Sequence, residues 1–154
     1  MLVESILFEI IVVILLVLAN AFFVAAEFAI VKVRATQLQP LVEKNNPGAK
    51  VAMKLISNMD AYLSASQVGI TMTSLGLGWV GEPVTAKLLE PVFIMFGLQN
   101  PQTIHTISVI VGFIFLTFLH ISIGEQAPKM LAIKHPRSTS IIISIPLNIF
   151  FVTF

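Results

Sequence analysis

"HISIGEQAPKMLAI" (residues 120–133) closes an almost wholly apolar run that begins at Ile104. The run does not pass into an ordinary charged loop. It ends in Gly124-Glu125, followed by Gln126, Pro128 and Lys129. Proline has no amide hydrogen, so Pro128 deprives the Gly124 carbonyl, four residues earlier, of its α-helical donor. At membrane depth an interrupted helix is tolerated only where it is buried in protein or lines a cavity. Freed carbonyls beside a carboxylate make a cation site of the kind found in transporters with broken helices. The stretch thus predicts a spanning helix that breaks near Pro128 because its backbone oxygens are needed as ligands. An ordinary helix stop with proline behind it is the plainer alternative.

The rest of the chain sets the solvent for that helix. Of its 154 residues 56% are hydrophobic and 11% are charged, and the mean hydropathy is +0.95. Soluble domains carry about 25% charged residues. A chain this apolar cannot cover itself with polar groups, so it reads as an all-α membrane protein. The apolar surface excludes nucleic acid as a partner. There is no cysteine, which excludes a disulfide scaffold and a thiolate metal site. No glycine-rich phosphate loop and no Ser/His/Asp or paired-histidine spacing offers enzyme chemistry. The first apolar run carries Glu4 and Glu9, lacks a basic leader and is too long for a cleaved signal peptide, so it reads as an anchor.

Hydropathy predicts three spans: 6–31, 62–80 and 104–123. Between the first two, Leu38, Leu41 and Val42, then Val51, Leu55 and Ile56, stand at helical spacing on either side of "NNPG" (45–48). They predict two short amphipathic helices at the membrane interface. "GEP" (81–83) predicts a turn before a separate helix over 84–96, with Lys87 and Glu90 at the interface and a loop over 97–102. Of nine basic residues, all but Lys87 fall in the connections after the first and third spans. By the positive-inside rule those connections are cytoplasmic and the N-terminus is outside. The segment 138–154 could by itself be a fourth span or an interfacial helix. It ends without a polar tail, and the chain reads as a piece of a longer protein.

Polar residues inside the apolar segments are the candidate site. An ionisable group there costs about 2.5–3.5 kcal/mol on insertion scales. Asn20 and Glu27 lie two helical turns apart on one face of the first span. Glu27 either meets water or Lys32 at the cytoplasmic end, or lines a polar cavity with Asn20. Gln67, Thr71 and Ser74 form a stripe on the second span, with Ser64 extending it. Each hydroxyl alone reads as helix–helix glue, whereas the stripe offers the neutral oxygens a hard cation takes. His120 reads as a packed, hydrogen-bonded histidine. Ala65, Gly69, Gly76 and Gly78 read as packing positions within or between subunits.

At "NAFFVAAEFAIVKVR" (20–34), "YLSASQVGITMTSLGLGWVGEP" (62–83) and "HISIGEQAPKMLAI" (120–133) the chain resembles the transmembrane domain of the CorC/CorB/cyclin-M family of magnesium transporters, whose bacterial members have been described as hemolysin-like. The resemblance covers essentially residues 1–154. It implies three transmembrane helices, a juxtamembrane helix beginning in 138–154, a homodimer in the plasma membrane, and cytosolic CBS modules on the full-length protein. It also implies an inward-open acidic cavity holding Mg²⁺. Asn20 and Glu27 match the family pattern on the first span; Gly124, Glu125, Pro128 and Lys129 match on the third. Val24 and Ile70 stand where many members carry polar residues.

The expected ligand set is therefore Asn20, Glu27, Thr71, Ser74, Gly124 and Glu125, with Glu27 holding the cavity negative or pairing with Lys129. The expected activity is Mg²⁺ export, with Na⁺ as the possible counter-ion. A cation-sensing membrane scaffold without transport is the alternative. A pore-forming toxin fits poorly with the charge pattern.

Overall fold

The computed structural model describes residues 2–154, with side chains from Ile6 onward; Glu4 therefore lies outside the described side chains. The elements are α1 (Leu2–Lys32), α2 (Ala35–Glu43), α3 (Pro47–Ser57), α4 (Met59–Met95), α5 (Pro101–Leu119), a π-helical turn (His120–Gln126), α6 (Ala127–Lys134) and α7 (Pro136–Thr153). Among the described residues there is no strand.

Two long helices are apolar on nearly every side. The segments Ile6–Lys32 and Pro101–Lys134 are long and apolar enough to cross a membrane, and only 11% and 22% of their most apolar stretches are buried within the chain. The core helix of a soluble protein would be mostly buried. Here Phe8, Leu15 and Leu18 on α1, and Ile114, Phe115 and Phe118 on α5, lie exposed. Leaving such side chains in water forgoes about 1.5–3 kcal/mol apiece, so lipid is the solvent these faces fit. The chain is a membrane protein on these grounds. With 37 residues, α4 is about 55 Å long, ample for a span, but its serines, threonines and Gln67 keep it below the apolarity of the other two.

The three long helices run antiparallel, and their cross-contacts fix the register. Along α1 and α4 the pairs are Glu9 with Lys87, Leu16 with Gly76, Asn20 with Thr73 and Phe23 with Gly69. Along α4 and α5 they are Gly81 with Leu116, Thr85 with Gly112 and Glu90 with His105. Residue numbers rise on one helix as they fall on its neighbour. Small residues permit this approach: a Cβ at Gly69 would lie 2.5 Å from the Phe23 ring, so only glycine lets α1 and α4 meet there.

The expected turn at 81–83 is absent, and α4 runs straight through Pro83 and Pro91. Each proline removes one helical donor, but the chain remains helical because α1 and α5 pack along it. The Thr85 hydroxyl lies 3.0 Å from the carbonyls of both Gly81 and Glu82, folded back on its own helix. The chain does turn at 96–100, where Gly97 takes φ +87 and the Asn100 side chain caps α5.

The two short amphipathic helices form as the spacing requires. Asn45 adopts φ +60 and the Asn46 carboxamide accepts the Ala49 amide at 3.0 Å to start α3. Together with α7 they make a belt at the end of the long helices where the basic residues gather. Ser144 Oγ donates to the Gly48 carbonyl at 2.9 Å, and Tyr62 Oη donates to Asn148 Oδ1 at 2.6 Å. Phe23, Ile30, Leu55, Tyr62, Ile143 and Leu147 share one core. The segment 138–154 thus docks on α1, α3 and α4 instead of standing apart.

Candidate cation site

Asn20 is the hub. It is 2% exposed, halfway down α1, and its carboxamide is engaged at both ends. Nδ2 donates to the Gly124 carbonyl at 3.0 Å, and Oδ1 lies 3.0 Å from Thr73 Oγ1 and 3.3 Å from Ser74 Oγ. One side chain therefore ties α1 to α4 and to the π-turn. Thr73 Oγ1 is also within 2.8 Å of the Gly69 carbonyl. A hydroxyl has one proton, so the Asn20 and Gly69 contacts of Thr73 are alternatives.

The third long helix does not break. It swells: His120–Gln126 winds as a π-helix, with the Ala127 amide bonded to the Ser122 carbonyl five residues back. The wider turn absorbs the missing Pro128 amide without an end to the helix, as π-bulges at functional sites do. The expected liberation of Gly124 still occurs, since its carbonyl takes a side-chain donor from another helix. Gly124 is also required sterically: a Cβ there would sit 2.8 Å from the His120 ring and 3.4 Å from Asn20 Nδ2.

Of the expected residues, the structure brings together Asn20, Ser74 and Gly124. Glu125 follows directly on Gly124 and is exposed; Glu27 is half-buried two turns below Asn20. Thr71 is not in the cluster. It lies on the exposed face of α4, with its hydroxyl on the Gln67 carbonyl at 2.8 Å, and Ser64 and Gln67 line the same shallow groove. The residue that meets Asn20 is Thr73, two positions on, because α4 turns that face toward α1. A reading of the sequence that favoured the face carrying Ser66, Gly69 and Thr73, all buried, would have found it. The expected Glu27–Lys129 pair is not formed: the Lys129 ammonium stands 4.7 Å over the Phe28 ring, a cation–π contact.

Among the described residues no three His, Asp or Glu side chains cluster as a metal site. The arrangement offers neutral oxygens from three helices, with one acid adjacent. That suits a hard cation that keeps part of its water shell more than a transition metal.

Comparison with known proteins agrees with the architecture. Residues 10–154 match the family described as "Cyclin M transmembrane N-terminal domain". The UPF0053 protein YugS of Bacillus subtilis (strain 168) is 46% identical over 143 residues, 93% of this chain and 33% of its own length. The UPF0053 protein YhdT of the same organism is 44% identical over 136 residues, 88% of this chain and 29% of its own length. The uncharacterized protein Rv1841c of Mycobacterium tuberculosis (strain ATCC 25618 / H37Rv) is 36% identical over 132 residues, 86% of this chain and 37% of its own length. The chain thus spans about a third of the length of the curated relatives it matches. It belongs to the cyclin M transmembrane family.

Proposed function

From membership of that family, we propose that the chain is the ion-handling membrane domain of a divalent-cation transporter that exports Mg²⁺, with Na⁺ as counter-ion. The observation that carries this is the Asn20 carboxamide, buried between three helices and bonded to a backbone carbonyl that Pro128 has stripped of its α-helical partner. In lipid such a carbonyl is costly unless satisfied. A donor that can leave makes it a ligand on demand.

In this reading α1, α4 and the α5–α6 rod are three spans across the plasma membrane. The N-terminus is outside, and the belt of α2, α3 and α7 is cytoplasmic. The Glu9–Lys87 and Glu90–His105 pairs then sit at the outer rim, where water reaches them. The cation replaces the Asn20 amide at Gly124. Asn20 turns its Oδ1 toward it, and Ser74 and Thr73 supply further oxygens. Glu125 supplies charge, and Glu27 keeps the cytoplasmic approach negative. Mg²⁺ takes near-octahedral oxygen coordination at about 2.0–2.1 Å and retains several waters, so these few protein oxygens suffice. Gln67 and Thr71, exposed at membrane depth, are covered by the partner in a homodimer. Cytosolic CBS modules on the full-length protein regulate it.

The test is Glu125→Gln in Mg²⁺-loaded cells or liposomes. Efflux should fall at least tenfold relative to the unmodified protein, and the rise in thermal midpoint expected of that protein with Mg²⁺ should be absent. Unchanged efflux and unchanged protection would remove this assignment. A cation-sensing scaffold is the second reading, favoured by the complete pairing of Asn20 in a closed contact. It requires Mg²⁺ protection with no flux in liposomes.

A further inference from the structure

A second recess lies beyond Asn20, mostly apolar in its wall but with polar side chains at either end. Between α4 and α5 is a cavity of about 160 Å³ lined by Ser74, Gly78, Glu82, Phe113, Thr117 and His120 among others. That is large enough to admit water. On α4 its lining runs from Ser74 to Glu82, and on the facing rod from His120 at the start of the π-turn back to Phe113 on α5. On both helices these residues lie on the side of the Asn20–Gly124 contact away from the basic belt. The recess therefore starts at Ser74, which touches Asn20, and leads toward the outer end.

Three features distinguish it. The His120 ring packs against Gly124 at its inner end, and its Nε2, out of reach of solvent, has no hydrogen-bond partner among the described residues, where buried polar atoms ordinarily have one; the sequence alone had suggested a bonded histidine. Gly78 is not a packing glycine, since a Cβ there would meet no atom within 4 Å, whereas one at Gly81, three residues on, would collide with Leu116. Glu82 is exposed and lines the recess, while the neighbouring acids Glu9 and Glu90 hold Lys87 and His105. A carboxylate at the mouth of a low-dielectric cleft concentrates cations there.

We propose that this recess is the outer vestibule of the cation path. It would pass a partly hydrated divalent cation between the outer surface and the Asn20 contact, with Glu82 as the attracting acid and Ser74 as the handover oxygen. The proposal rests on the transport reading above.

The chain lacks cysteine, so a thiol introduced by Gly78→Cys is unique in it, and the open space at Gly78 accommodates the side chain. In sealed vesicles containing the full chain, a membrane-impermeant cationic methanethiosulfonate added outside should label it at least tenfold faster than a thiol introduced by Leu18→Cys on the lipid face. Labelling should cut Mg²⁺ flux at least fivefold. Millimolar Mg²⁺ should slow the labelling, and Glu82→Gln should abolish that slowing. Thr117→Cys on the facing helix repeats the test should the first variant fold poorly. Labelling only from inside, no labelling, or a disulfide between two copies at position 78 would overturn the vestibule while Mg²⁺ flux in the unmodified protein left transport standing. External labelling with no flux in the unmodified protein would remove the transport reading and the vestibule with it.

Discussion

Two asparagines do similar jobs at opposite depths of this molecule. Asn148 in the belt accepts from Tyr62 Oη at 2.6 Å and from the Lys54 ammonium at 3.3 Å. Asn20 joins α1, α4 and the π-turn at membrane depth. The belt partners include a charged lysine at an exposed position, so water can replace any lost bond and Asn148 is structural glue. Asn20 is itself almost wholly buried and lies against a carbonyl lacking its α-helical donor. Loss of glue costs stability alone. Loss of the Asn20 contact should cost stability and the ability to exchange a proton donor for a cation.

The comparison breaks first at the asparagines themselves. Asn20→Ala should reduce Mg²⁺ flux at least tenfold and destabilise the protein by about 1–3 kcal/mol through the orphaned Gly124 carbonyl. Asn148→Ala should leave flux within twofold and cost about 0.5–1.5 kcal/mol. Liposome flux and thermal unfolding in detergent measure both, and equal flux losses in the two variants would make Asn20 no more than another strut.

Pro128→Ala sharpens the point. It restores an amide able to reach Gly124, so the π-turn should relax toward an α-helix and Asn20 should lose its acceptor. The expected signature is a thermal midpoint unchanged or raised with flux reduced severalfold. A merely destabilised protein would lower both.

Gly69→Ala tests whether α1 and α4 must touch for Asn20 to reach Thr73. The added Cβ meets the Phe23 ring at 2.5 Å, and overpacking of this kind costs about 1–3 kcal/mol. Thermal unfolding should show this loss, and Phe23→Leu in the same chain should recover part of it.

The smallest effect is expected at the rim. Lys87→Met breaks the pair with Glu9, whose side chains are 47% and 27% exposed. Exposed pairs contribute about 0–1 kcal/mol, so unfolding should shift little and flux should hold within twofold. The charge-swapped double variant Glu9→Lys with Lys87→Glu should restore any loss.

Much of this was legible in the one-dimensional pattern because lipid imposes simple rules. Apolar runs of sufficient length must be helical, since no other isolated segment satisfies its own backbone in hydrocarbon. That argument found α1 and α5, and amphipathic spacing with "NNPG" found α2 and α3. A proline four residues after Gly124 marked the carbonyl that would need a partner. The sequence could not say how the chain would accommodate it. Whether a proline breaks a helix, as expected near 83 and 128, depends on what packs beside it. Here neighbouring helices held both regions helical, one as α and one as π. Nor could spacing tell Thr71 from Thr73, because a helix with hydroxyls on several sides has no preferred face until another helix chooses one. The chemistry of the parts was thus set by residue type and solvent. Which oxygens meet, and that His120 Nε2 has no partner among the described residues, was decided only when α1, α4 and α5 packed together.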